Sequence, residues 1–181
     1  DRLATARVAT DRDVYSLRRI AILPVRGGQL SPEDARAFEG ALATQMGQRW
    51  EAEIIPLDAQ DIEEIPANES FRLGRIDPHA ILEVARRHNL DAVLQTTVLE
   101  RRPYPPQRFS VEAELVSCET GLPIWSASLR LDGASQRTQS VLRAWHADER
   151  RTDAGGESWD LYLISPLRFA EFAAAQLALA Y

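Results

Sequence analysis

Four sets of residues in this chain have types and spacing that could do chemistry. Gly27-Gly28 stand just ahead of Ser31-Pro32, where a helix should begin, and a glycine loop before a helix can hold phosphate on N-terminal amides. Neither Gly-x-Gly-x-x-Gly nor Gly-Lys-Ser/Thr is present. Glu33 and Asp34 also place negative charge where an anion would sit, so no nucleotide is expected. His79 and Glu83 are one helical turn apart, with His88 too far round to join them, and His146, Asp148 and Glu149 cluster further on. A metal needs three or four converging ligands. These groups supply too few, so no metal and no cofactor is expected. Ser31 and Ser165 read as helix caps rather than nucleophiles. Cys118 has no histidine near it in sequence, and no Gly-x-Ser-x-Gly occurs. No catalytic residue is assigned. The fourth set is Arg101, Arg102, Tyr104 and Arg108 on a segment with three prolines. Arginine and tyrosine are enriched at interface hot spots. This segment, taken as a projecting loop from Arg101 to Arg108, is the expected interaction site.

The elements around that loop are written into its flanks. Phe109, Val111, Ala113 and Leu115 alternate with polar residues, and so do Trp125, Ala127, Leu129 and Leu131. With Glu119, Thr120 and Gly121 as a three-residue loop, Leu115 faces Trp125, Ala113 faces Ala127, Val111 faces Leu129 and Phe109 faces Leu131. Every apolar residue then shares one face, and a slip of one residue would destroy that match. Gly121 supplies the left-handed residue such a loop needs.

Upstream, Arg19 to Val25 is a short apolar run that predicts a buried strand, ended by Pro24. Ser31, Pro32, Glu33 and Asp34 predict a helix start, followed by Ala35, Phe38, Leu42, Met46 and Trp50 as one apolar stripe. Glu53 to Leu57 predicts a strand. Asp58 to Ile76 is polar, with Asp61, Glu63 and Glu64 forming an acidic patch. Asp77-Pro78 predicts another capped helix, stopped at Asn89. Asp91 to Leu99 is apolar on both faces at first, as a central strand would be. Ser135 to Trp145 predicts a helix, Ala147 to Asp160 a polar mobile stretch, and Ser165-Pro166 the last helix. Residues 1–17 predict a tether or loosely docked arm ahead of a single domain at 18–181. The expected fold is α/β, a mixed sheet with a C-terminal antiparallel hairpin, flanked by helices.

Composition narrows the function classes. The net charge of −6 argues against a nucleic-acid footprint. All 21 basic residues are Arg, the pattern of a GC-rich coding sequence. No apolar run reaches the ~18 residues of a membrane span. The single Cys118 excludes an internal disulfide. The first residue is Asp rather than Met, a start compatible with a signal peptide or lipobox segment removed upstream.

Ile20-Ala21-Ile22-Leu23-Pro24-Val25, then Leu90-Asp91-Ala92-Val93-Leu94, then Thr120-Gly121 shortly before Trp125 stand in an order that resembles the CsgG, LpoB, PelC and TolB N-terminal group of cell-envelope proteins. The resemblance spans about residues 19–132. It departs at Leu90, where these proteins usually have Gly, in the proline-rich loop, and in lacking the membrane-spanning hairpins of the curli channel. It implies a non-enzymatic periplasmic or outer-membrane-anchored lipoprotein serving as an assembly, secretion or activator component. Its implied partner is an envelope protein, with self-association as an alternative and membrane contact only through a lipid anchor. The competing reading is a soluble enzyme whose site carries no sequence motif.

Overall fold

A computed structural model describes residues 2–10, 15–27, 30–58, 78–149 and 158–181. Its elements are β1 (Thr5–Val8), β2 (Arg19–Ile22), α1 (Pro32–Gly47), β3 (Glu53–Pro56), α2 (Pro78–His88), β4 (Ala92–Arg102), β5 (Arg108–Ser117), β6 (Pro123–Asp132), α3 (Gln136–Glu149), α4 (Leu161–Ile164) and α5 (Pro166–Ala178). The strands form one six-stranded sheet in the order β1-β6-β5-β4-β2-β3. β2 runs parallel to β3 and β4, and the other pairs are antiparallel. This is the expected mixed α/β sheet.

The topology explains the two faces. β2–α1–β3 steps outward and β3–α2–β4 steps back across β2. Crossovers of one hand in opposite directions put their helices on opposite faces. Phe38, Leu42 and Met46 of α1 accordingly join one core, with Phe109, Val111, Leu115, Trp125, Leu129, Leu131, Leu142 of α3 and Phe169, Phe172 and Leu177 of α5. Ile81, Val84 and Ala85 of α2 join a smaller core on the other face, with Ala21, Leu23, Val93 and Val116. Among the described residues, a helix covers that second face only at the β2 side. Across β4, β5, β6 and β1 it is a polar groove of about 380 Å³ lined by Arg7, Gln95, Thr97, Glu112, Glu114 and Ser126.

The hairpin pairs as the alternation predicts: Leu115 with Trp125, Ala113 with Ala127, Val111 with Leu129, and Phe109 with Leu131. All eight are buried. The turn differs by one residue. Val116 pairs with Pro123, and the Ser117 N–H donates to the Leu122 carbonyl at 2.9 Å. The loop is therefore the four residues 118–121, and Ile124 is the extra residue of a bulge. The bulge lets two sequence neighbours, Ile124 and Trp125, both be buried. Gly121 keeps its left-handed role, with φ +69°.

Two features go beyond the sequence reading. Within the predicted arm, Thr5–Val8 form the edge strand beside β6, and the Leu3 N–H donates to Gln176 Oε1 at 3.0 Å. Its alternation is too short to announce a strand, because four residues show only two per face. The C-terminal part also holds one element more than expected, the single turn α4 ahead of α5. Elsewhere the caps hold. The Ser31 hydroxyl accepts from the Asp34 N–H at 3.1 Å, and Ser165 accepts from Arg168 at 3.5 Å. Asn89 stops α2 with φ +53°. Asp77, the acidic patch at residues 61–64 and residues 150–157 of the polar stretch lie outside the described residues.

Candidate functional site

β4 and β5 carry the expected interaction segment at their shared end, but they divide it. Arg101 and Arg102 are still in the ladder, opposite Phe109 and Arg108. The loop proper is only residues 103–107. Side chains alternate along β4, so the two arginines leave by opposite faces. Arg101 turns to the packed face. Its side chain is 4% exposed, its Nη2 lies 2.9 Å from Asp34 Oδ1 at the start of α1, and its guanidinium sits 5.6 Å above the Phe109 ring. It is a strut between β4 and α1 and leaves the set of interaction residues. No local signal could have revealed this, because its partner is 67 positions away.

Arg102, Tyr104 and Arg108 remain exposed, Tyr104 at 75%. Pro103, Pro105 and Pro106 surround the tyrosine and fix φ on each side of it. The loop's base is anchored by a residue the sequence reading passed over. Gln107 is buried, its carbonyl accepts from the Gly133 N–H at 2.8 Å, and its Nε2 donates to the Tyr162 carbonyl at 3.4 Å. On the face opposite that of Arg101, the residues Arg102, Arg108 and Asp132 stand in one cross-strand row, with Arg108 Nε 3.4 Å from Asp132 Oδ2.

The other candidates have structural duties. Gly27 has φ +76°, and a Cβ there would lie 2.5 Å from the Val98 carbonyl oxygen. Glycine is needed for the loop after β2 to approach β4, which accounts for the residue without a phosphate. Nearby, Glu39 accepts the Val25 N–H at 2.7 Å, and burial raises its carboxyl above the ordinary range. Cys118 is buried at the hairpin turn. Burial, and secondarily the Asp91 carboxylate, pushes its thiol up to about 12, which disfavours the thiolate and suits a packing residue. His146 packs its ring 5.6 Å from that of Tyr162. Among the described residues no three His, Cys, Asp or Glu side chains converge as metal ligands. The side chains of His79 and Glu149 lie outside the described set.

A cleft of about 510 Å³ is lined by Tyr15, Arg86, Asn89, Asp91, Cys118 and Glu119. It opens at the amino ends of the parallel strands, whereas ligands of open α/β sheets bind at the carboxyl ends. Its Asp91 is already engaged, accepting the Arg18 and Arg19 N–H groups at 2.8 and 2.9 Å. This pins the start of β2 beside β4 and explains the Asp of the Leu90-Asp91-Ala92 segment in structural terms.

Solved structures share this architecture. The PelC dodecamer from Paraburkholderia phytofirmans superposes with a TM-score of 0.51 at 18% identity, over 76% of this chain and 88% of that one. Lipoprotein GNA1162 from Neisseria meningitidis superposes with a TM-score of 0.50 at 14% identity, over 76% of this chain and 99% of that one. The likeness is one of fold. No protein-family model matches the chain, and no curated protein matches its sequence. Among the described residues, no helix is long and apolar enough to cross a membrane.

Proposed function

We propose that this protein is a non-enzymatic interaction module of the bacterial cell envelope, a periplasmic lipoprotein tethered to the outer membrane and serving as an assembly, secretion or activator component. The fold it shares with a lipoprotein and with a dodecameric protein supports the class, as does the motif order that resembles the CsgG, LpoB, PelC and TolB N-terminal group. The observation that carries the reading is Tyr104: a large aromatic ring, 75% exposed, held among three prolines next to two exposed arginines. A ring exposed to that degree contributes little to folding. A stiff loop loses less entropy when a partner docks, so it favours binding.

A photo-reactive benzoyl-phenylalanine at position 104 of the full-length protein in its native host tests this. A discrete cross-linked adduct is expected there and none from the same residue at Glu112. No adduct at 104 would eliminate the loop as the contact. Cell fractionation tests the location: recovery with the outer membrane is expected, and recovery in the cytosol overturns it.

A further inference from the structure

The row Arg102–Arg108–Asp132 has a charge arrangement that folding does not explain. Arg102 and Arg108 are directly opposite in the β4–β5 ladder. Like charges in that relation destabilise a sheet. One carboxylate, Asp132, serves the pair, and it reaches Arg108. Among the described residues no carboxylate pairs with Arg102. In the next row, Glu100, Ser110 and Arg130 stand side by side. Among the described residues, the side chains of these two rows are three guanidinium groups, Arg102, Arg108 and Arg130, against two carboxylates, Glu100 and Asp132. The end is locally cationic in a chain whose net charge is −6. Tyr104 projects from the loop immediately beyond it.

From this we infer that Arg102 and Arg108 form an acceptor site for a carboxylate of a protein partner, with Tyr104 supplying the adjoining apolar contact. The inference rests on the proposed role of the loop and adds the partner's chemistry: an acidic side chain next to an apolar or aromatic one. Planar guanidinium groups match carboxylates in a fork geometry that neither water nor a single cation offers. A third group of opposite sign between two opposed arginines also offsets their repulsion. An anionic membrane is the weaker occupant. Surface binding to lipid headgroups takes clusters of about four to eight basic residues, and the acidic chain as a whole is repelled by such a surface.

The test uses the purified full chain and a random dodecapeptide library displayed on phage, with sedimentation on phosphatidylglycerol vesicles as a second arm. Enriched peptides should carry Asp or Glu beside an apolar or aromatic residue. Their affinity should fall about tenfold or more with Arg102→Gln plus Arg108→Gln, and fall again as salt is raised. Arg102→Gln alone should leave the thermal midpoint unchanged or raise it by up to about 3 °C, because a like-charge pair is removed. Enrichment of peptides without acidic residues, no enrichment, undiminished binding by the double variant, a lowered midpoint, or vesicle binding in place of peptide binding would each overturn the inference. Loss of peptide binding with Tyr104→Ala but not with the arginine variants would leave the loop's role standing and remove the carboxylate site.

Discussion

On β5, Phe109, Val111, Ala113 and Leu115 lie beneath helices, while Glu112 and Glu114, between them in sequence, line an open groove. The two faces of one sheet therefore follow different rules. The packed face is fixed by shape: aromatic rings such as Phe38 and Phe109 meet edge to face at 5.0 Å, and even its charged residue, Arg101, is sealed and paired. Across β4, β5, β6 and β1 the other face is held, among the described residues, chiefly by the ladder, and it carries charge. Arg101 and Arg102 are neighbours in sequence with opposite duties, so a residue's type says less here than its parity along the strand. Four measurements can break or sharpen that contrast.

The largest effect is expected on the packed face. Trp125→Ala should cost about 3–5 kcal/mol, whereas Glu112→Ala on the open face should stay within about 0.5 kcal/mol. Urea denaturation midpoints compare them, and similar losses would abolish the distinction between faces. Next is the backbone seam where the loop after β2 meets β4. Gly27→Ala should cost about 1–3 kcal/mol through its left-handed φ and the Val98 carbonyl. Gly40→Ala, in the exposed turn of α1 with nothing within 4 Å, should instead stabilise by up to about 1 kcal/mol. Equal behaviour of the two glycines in thermal melts would remove close approach as the reason for Gly27.

The neighbouring arginines give the most direct comparison. Arg101→Ala should cost about 1–2 kcal/mol, discounted because Asp34 is partly exposed, and Arg102→Ala should change stability by less than about 0.5 kcal/mol. A stability loss at 102 equal to that at 101 would deny the division of roles. The smallest effect belongs to the cap that sets α1 against the packed face. Ser31→Ala should cost about 1 kcal/mol in the same urea experiment, and no change would mean the Asp34 N–H finds another acceptor.

What could be read in advance follows from the same physics. The hairpin register was legible because alternation over eight positions admits only one pairing that keeps every apolar residue together. The caps at Ser31 and Ser165 and the stop at Asn89 were legible because they depend on residues three or four apart. The edge strand at residues 5–8 was not, since its partner is β6, more than a hundred positions on. The bulge at Ile124 also escaped, because two adjacent apolar residues in a strand do not say which one is the insertion. Of the four candidate site residues, exposure of Arg102, Tyr104 and Arg108 followed from the prolines and polar flanks. The burial of Arg101 depends on α1 lying across the end of β4, a tertiary fact.

Trp50 and Trp125 donate their indole N–H groups to the carbonyls of Ala178 and Ala180, and Tyr181 stacks on Trp50 at 3.8 Å between ring centres. This arrangement makes the protein its own optical probe. Three chromophores, Trp50 after α1, Trp125 on β6 and Tyr181 after α5, are held in fixed mutual orientation, so they should generate a strong near-ultraviolet circular dichroism band. That band should vanish when the last turn undocks, even if the far-ultraviolet signal of the sheet persists.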